Sequence, residues 1–251
     1  MKIFVGFDKK DFLAYEVCVA SIIKHASIDL EIIPLQDWKL RQKGLFYRSH
    51  IVDTSGQMID RRDKSKFSTD FSFTRFLVPA INQYADEWVL FCDPDVLFRA
   101  DVAELFALVD DQYSVMCVQH EHIPFESHKM FGMEQTKYRR KNWSSVMLMN
   151  TARCSWLTLY CVNNQSGDYL HSMSWVDDKA IGALPQEWNY LVGYTDPKVC
   201  EFPRLVHYTL GTPDMVPEAL LEYSNEWWWY AQRKTLFGAS TWKHVAGLDC
   251  K

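Results

Sequence analysis

The chain predicts an α/β domain built on a mostly parallel, mixed central sheet, and three observations carry that prediction. Apolar segments of strand length alternate with amphipathic segments of helix length from the N-terminus onward, the pattern of β-α-β units. Trp88-Val89-Leu90-Phe91-Cys92 is continuously apolar, as a strand buried on both faces should be. No Pro/Gly/Ser-rich linker, low-complexity tract or internal repeat divides the 251 residues, which favours a single domain over 1–251.

The elements follow in order. Lys2 to Phe7 reads as a first strand ending in Asp8. Tyr15, Val19, Ile22 and Ile23 recur at helical spacing and predict a helix from about Ala14 to His25. Leu30 to Leu35 is a second strand. Gln36 to Thr69 is polar and mixed, a long connection of the kind that is often functional. Phe73, Phe76, Leu77, Ala80 and Ile81 mark the next helix, kinked or shortened by Pro79. After the Trp88 strand, Asp101 with Glu104 reads as an N-cap with a capping-box partner for a helix to about Val109. Ser114 to Gln119 is a strand, His120 to Asn142 a second long connection, and Ser144 to Asn150 strand-like. Thr151 to Val162 is helical in pattern, and Trp175 to Leu184 reads as a short helix. Tyr190 to Tyr194 and Leu205 to Thr209 are late strands. Pro217 to Phe237 closes the chain as an aromatic helix within a C-terminal segment, 217–251.

Composition narrows the function. Hydrophobic residues make up 48% of the chain, which excludes a disordered protein. The formal net charge of -5 argues against nucleic acid as a partner. Seven cysteines without a C-x-x-C pair read as reduced, buried thiols, so neither a disulfide frame nor a zinc site is expected. The N-terminal apolar run is too short for a signal peptide, and no stretch reaches transmembrane length. A cytoplasmic protein is expected.

The acids stand out next. The Trp88 strand runs into Asp93-Pro94-Asp95, and Pro94 holds Asp93 extended, so both carboxylates lie at the strand's C-terminal end. Ligands of open α/β sheets bind at that edge. Two carboxylates there suit a hard divalent cation shared with substrate phosphates, although Asp-Pro-Asp is also ordinary turn chemistry. Parallel pairing places Asp8 on the same edge. Arg75 lies on the polar flank of its helix and has a fork suited to phosphate oxygens if it faces the cleft. His207 closes a late strand and is either a satisfied core residue or a metal partner to carboxylates. Gly211 either lets backbone approach a phosphate or makes a turn. Asp177 and Asp178 point about 100° apart on a helix, so one of them is solvated. Lys137 to Lys141 is a basic run. Trp227-Trp228-Trp229 cannot all face inward, and the exposed remainder suggests a homodimer contact, an acceptor site or peripheral membrane contact. The glycine-rich dinucleotide and P-loop signatures and the serine-hydrolase elbow are missing.

With these residues in order, the sequence resembles a glycosyltransferase of the GT-A fold (nucleotide-diphospho-sugar transferase, Rossmann-like), close to glycosyltransferase family 8 and to a group of bacterial glycosyltransferases of similar length. Five pieces carry the resemblance: the strand ending in Asp8, Ser72 to Pro79, Asp93-Pro94-Asp95, Ser145 to Asn150, and Asp177-Asp178 ahead of Leu184-Pro185-Gln186-Glu187-Trp188-Asn189 and His207-Tyr208-Thr209-Leu210-Gly211. The resemblance implies a metal-dependent enzyme moving a sugar, with retention, from a UDP-sugar to a glycan or glycolipid acceptor hydroxyl in bacterial surface glycan synthesis, at the inner membrane face. Asp93, Asp95 and His207 would hold Mn²⁺ or Mg²⁺. Phe7, Asp8, Phe12, Arg75, Asp93 and Gly211 would contact the donor, and Asp177 and Asp178 would stand by the reacting sugar. The family's His-x-x-Gly-x-x-Lys ends here in Pro213, so the phosphate-gripping lysine is missing and Arg139, Arg140 or Lys141 is its candidate replacement. Asn-x-Gly is replaced by Trp143-Ser144-Ser145. The alternatives are a nucleotidyltransferase and a carbohydrate-binding or assembly module working through the C-terminal aromatics.

Overall fold

Alternating burial along the strands builds the core. Ile3, Val5 and Phe7 of β1 (Lys2–Phe7) point into one apolar cluster, together with Leu90 and Cys92 of β6 (Trp88–Cys92) and Val146 and Leu148 of β9 (Val146–Asn150). Their neighbours Phe4, Val89, Phe91, Met147 and Met149 point into a second cluster on the other face. A period of two with apolar residues on both faces demands cover on both sides. On the first face the cover is α1 (Phe12–His25), through Tyr15, Cys18, Val19 and Ile22; on the second it is the segment around Phe73, Phe76 and Leu77. The computed structural model describes residues 1–121, 139–216 and 221–241, without side chains for 234–241.

The central sheet has six strands in the order β10-β8-β9-β6-β1-β2, with β2 at Glu31–Gln36, β8 at Val115–Cys117 and β10 at Ile181–Ala183. The β1–β2, β1–β6 and β8–β10 pairings are parallel, and β9 runs antiparallel to both its neighbours. This is the expected α/β class with a mostly parallel, mixed sheet. A second sheet joins β7 (Val96–Phe98), β11 (Tyr190–Leu191) and β12 (Leu205–His207) in the order β11-β12-β7.

Several expected elements are corrected. The stretch 36–69 is folded: α2 (Asp37–Gln42) precedes an antiparallel sheet of β3 (His50–Val52), β4 (Met58–Asp60) and β5 (Lys66–Phe67). Arg48 anchors it. Its buried guanidinium pairs with Asp60, donates to the Gln165 carbonyl at 2.6 Å and lies 3.9 Å from the Phe73 ring centre. A buried arginine paired with Asp60 and bonded to the Val162 and Gln165 carbonyls fastens this segment to the core. The Phe73 helix is three short pieces, α3 (Phe71–Thr74), a 3-10 turn at Arg75–Leu77 and α4 (Val78–Ile81). Pro79 sits in the first turn of α4, where a missing N–H costs nothing.

Capping sets other boundaries. The Asp101 side chain accepts from the Ala103 amide and starts α5 (Val102–Phe106), which ends short of Val109. The Thr158 side chain caps α6 (Leu159–Asn164), so the expected helix from Thr151 begins only at Leu159. Ser166 caps α7 (Gly167–His171). Trp175 to Leu184 is no helix: a 3-10 turn at Asp178–Ala180 leads into β10, whose edge pairing with β8 prevails over helical spacing. The closing helix is α8 (Ser224–Thr241), packed on α1 with Trp227 buried against Val17 and Ala20; residues 217–220 and 242–251 of the expected C-terminal segment lie outside the described residues. Among the described residues the cysteines are free thiols, all but Cys161 buried, and no helix is long and apolar enough to cross a membrane.

Candidate metal and donor site

The acid turn is built by three strands meeting at one edge. Parallel pairing matches Val5 of β1 with Cys92 of β6, so both strands deliver their next residues, Asp8 and Asp93, to the same end of the sheet. Gly6 makes that meeting close: a Cβ there would come 2.8 Å from the Phe71 ring and 3.1 Å from Pro94. The Asp93 amide donates to the Ser145 carbonyl at 2.8 Å, which ties the turn to the start of β9. Beyond Pro94 the chain re-enters a strand, and β7 pairs antiparallel with β12 so that Val96 faces His207. The Tyr208 amide donates to the Asp95 carbonyl at 2.9 Å. That register sets His207 Nε2 3.5 Å from Asp95 Oδ1.

Asp93, Asp95 and His207 thereby each offer a ligand atom, all within 4.8 Å of one another. Two carboxylate oxygens and one imidazole nitrogen form a donor set suited to Mn²⁺ or Mg²⁺. The other imidazole nitrogen, Nδ1, is engaged by Asn189 Oδ1 at 2.9 Å, as in metal-ligating histidines generally. The residues fit a divalent ion. Acids held this close also need positive charge nearby. Arg75 supplies some: the fork meets Asp93 with Nη2 3.0 Å from Oδ1 and Nη1 3.2 Å from Oδ2, and Nη1 also donates to the Ser144 carbonyl at 2.9 Å. The expectation of a surface arginine on a helical flank is therefore corrected. Arg75 is buried between the rings of Phe71 and Phe91 because its helix breaks into short turns around it.

The remaining residues expected at the donor divide. Asp8 is buried and caps the following turn, accepting from the Lys10 amide at 2.9 Å and the Asp70 amide at 3.0 Å. Phe7 belongs to the core, packed edge-on to Tyr15 and Trp38, whereas Phe12 is exposed. Gly211 has φ +125°, a conformation that favours glycine, and its amide closes a turn to the Tyr208 carbonyl. Sequence reading did not single out Asp11 and Asp70. Burial first, then the neighbouring Asp8, Asp95 and Asp214 charges, push the Asp11 carboxyl up to about 7. Burial, then Asp8 and Asp37, raise Asp70 to about 6. This edge is strongly acidic, with Arg75 beside Asp93.

Asp177 and Asp178 are exposed and precede β10, which leads from them toward the acid edge. Asp177 caps its own turn through the Lys179 amide. Asp178 pairs with Arg140 at 2.6 Å, and Arg140 also donates to the Ser172 carbonyl at 2.9 Å. Of the basic run, Lys137 and Tyr138 lie outside the described residues, as does most of the connection from His120 to Asn142. Lys141 is placed between Arg140 and Asn142, both left-handed in φ, and is buried. Its ammonium is pushed down to about 8 by burial and by Arg75, against the opposing pull of Asp93. Of the three candidate replacements for the missing lysine, Lys141 is the one placed among the charges of the acid turn.

Comparison with known proteins gives the kinship. No family model matches the chain. Protein CDI of Arabidopsis thaliana is 44% identical over 219 residues, covering 84% of this chain and 78% of the relative. The chain belongs to the Protein CDI family. Among solved structures, this CDI-family chain superposes on the bifunctional glycosyltransferase WbbM with a TM-score of 0.63 at 14% identity, covering 98% of this chain and 52% of WbbM. The galactosyltransferase LgtC, solved with donor and acceptor sugar analogues, gives a TM-score of 0.56 at 13% identity over 98% and 100% of the two chains. GlyE of Streptococcus pneumoniae gives 0.56 at 14% identity over 96% and 63%. The CDI-family chain thus has the GT-A fold, and it spans between half and two thirds of the length of WbbM and GlyE.

Proposed function

We propose that this protein is a metal-dependent glycosyltransferase that moves a sugar from a nucleotide sugar, a UDP-sugar, to the hydroxyl of a glycan or glycolipid acceptor. The observation that carries the reading is the gathering of Asp93, Asp95 and His207 within 4.8 Å at the C-terminal edge of a GT-A sheet. WbbM and LgtC, which share that fold, are glycosyltransferases, and LgtC was solved with donor and acceptor sugar analogues.

In this reading Asp93, Asp95 and His207 hold Mn²⁺ or Mg²⁺, which when bound neutralises charge on the diphosphate leaving group. Asp8, capped at the end of β1, meets the nucleoside with the exposed Phe12 ring beside it. Arg75 holds Asp93 in position through its two-point contact. Lys141 takes the place of the lysine that Pro213 replaces and faces the diphosphate. Gly211 lets the backbone come close on the other side. Arg140 anchors Asp178 next to Lys141 in sequence, and Asp177 and Asp178 serve the reacting sugar or orient the acceptor. Transfer proceeds with retention.

A panel of UDP-sugars with Mn²⁺, followed by UDP release, tests the reading. One sugar should give turnover that Asp93→Ala and Asp95→Ala abolish while the circular dichroism spectrum is unchanged. Turnover that survives both substitutions would overturn it.

A further inference from the structure

We infer that Asn189 is a positioning residue that locks His207 in the tautomer with the proton on Nδ1 and so turns the Nε2 lone pair toward Asp93 and Asp95. The role toward a metal rests on the function proposed above, whereas the tautomer is a property of the metal-free protein.

The assignment follows from which groups can donate. Asn189 is fully buried, and its Nδ2 lies 3.3 Å from the Asn142 carbonyl and 3.0 Å from Ser145 Oγ. A carbonyl only accepts, so the atom facing Asn142 is the NH₂. Ser145 Oγ spends its own hydrogen on the same Asn142 carbonyl at 2.6 Å, so it accepts from Asn189. Both contacts set the amide one way round and leave Asn189 Oδ1, an obligate acceptor, 2.9 Å from His207 Nδ1. Only Nδ1–H satisfies it. In a neutral imidazole Nε2 is then a bare lone pair, 3.5 Å from Asp95 Oδ1. Two acceptors facing each other call for a cation between them.

The same side chain couples two parts of the site. Asn142 follows Lys141 directly, and Asn189 grips its carbonyl while holding the histidine. Asn189 thus sets His207 and the turn that carries Lys141 in one frame.

The experiment uses the full chain labelled with ¹⁵N-histidine, metal-free, at a pH where the imidazole is neutral, with His207 assigned by difference from His207→Ala. Long-range proton–nitrogen correlation should show Nδ1 protonated in wild type and a shift toward Nε2–H in Asn189→Leu. Mn²⁺ affinity, read by electron paramagnetic resonance, should fall about 10- to 100-fold in Asn189→Leu. Asn189→Asp, which keeps an acceptor for Nδ1–H, should retain most of it. An Nε2–H tautomer in wild type overturns the inference, and that measurement decides even if Asn189→Leu does not fold. Unchanged tautomer and Mn²⁺ affinity in a folded Asn189→Leu overturn it as well. The expected tautomer in a wild type that binds no Mn²⁺ upholds the positioning role and brings down the metal site instead.

Discussion

Two pairs of aspartates, both singled out in the sequence, sit in opposite physical circumstances. Asp93 and Asp95 lie at the junction of β6, β7 and β12, with a buried arginine on one and a buried histidine beside the other. Asp177 and Asp178 stand in a solvated turn, one capping its own backbone and the other reaching from solvent to the largely buried Arg140. The first pair is expensive to bury, and the buried Arg75 guanidinium offsets part of that cost. The second costs little to hold where it is. The fold surrounds the first pair with buried partners and leaves the second open to solvent.

The largest expected effect comes from removing that compensation. Arg75→Leu deprives the buried Asp93 carboxylate of its bidentate partner and should lower stability by about 3–5 kcal/mol in urea unfolding. Arg140→Leu leaves an exposed carboxylate rather than a buried one without its cation, and should cost clearly less. Equal losses in the two variants would erase the contrast. Next in size is binding: Lys141→Met should weaken UDP in the presence of Mn²⁺ about tenfold, a loss near 1.4 kcal/mol, while Asp178→Asn leaves UDP affinity unchanged and acts on turnover alone.

A smaller effect concerns pH. Asp11 and Asp70 have folded pKa values raised from 3.8 to about 7 and about 6, so folding favours their protonated forms. Their contribution to stability is complete below about pH 4 and is lost as the pH climbs through 6 and 7. The melting temperature of the metal-free protein should therefore drop across that window, and Asp11→Asn should flatten the drop. The smallest expected effect is Gly6→Ala, which pushes Phe71 and Pro94 away from β1 and should lower the melting temperature by a few degrees, about 1 kcal/mol of overpacking.

Much of this was legible in the sequence because it is local. The apolar run of Trp88 to Cys92, the helical spacing of Tyr15 to Ile23 and Asp8 at the end of β1 all announce themselves within a few residues. So does Asp-Pro-Asp, whose proline fixes the acids at a strand end. What the residues alone left open depends on distant pairing, and His207 was joined to the acids only through the family resemblance. His207 meets Asp95 only through the register of two three-residue strands more than a hundred positions apart. The small sheet over 50–67 has strands too short to show alternation. Whether Arg75 faces solvent or the cleft was left open, because the break of its helix into three short pieces has no local signal apart from Pro79. Asn189 closes a segment that carries the family resemblance, but nothing local shows its role, which exists only where Asn142, Ser145 and His207 converge.

The central claim is that the acid turn is a metal-dependent nucleotide site, and calorimetry tests it most directly. UDP titrated into metal-free protein, with and without Mn²⁺, should bind only when the ion is present, and Asp95→Ala should abolish the heat. UDP binding that ignores Mn²⁺ and persists in Asp95→Ala, or no binding under any condition, would contradict the claim and return Asp93-Pro94-Asp95 to the status of a turn.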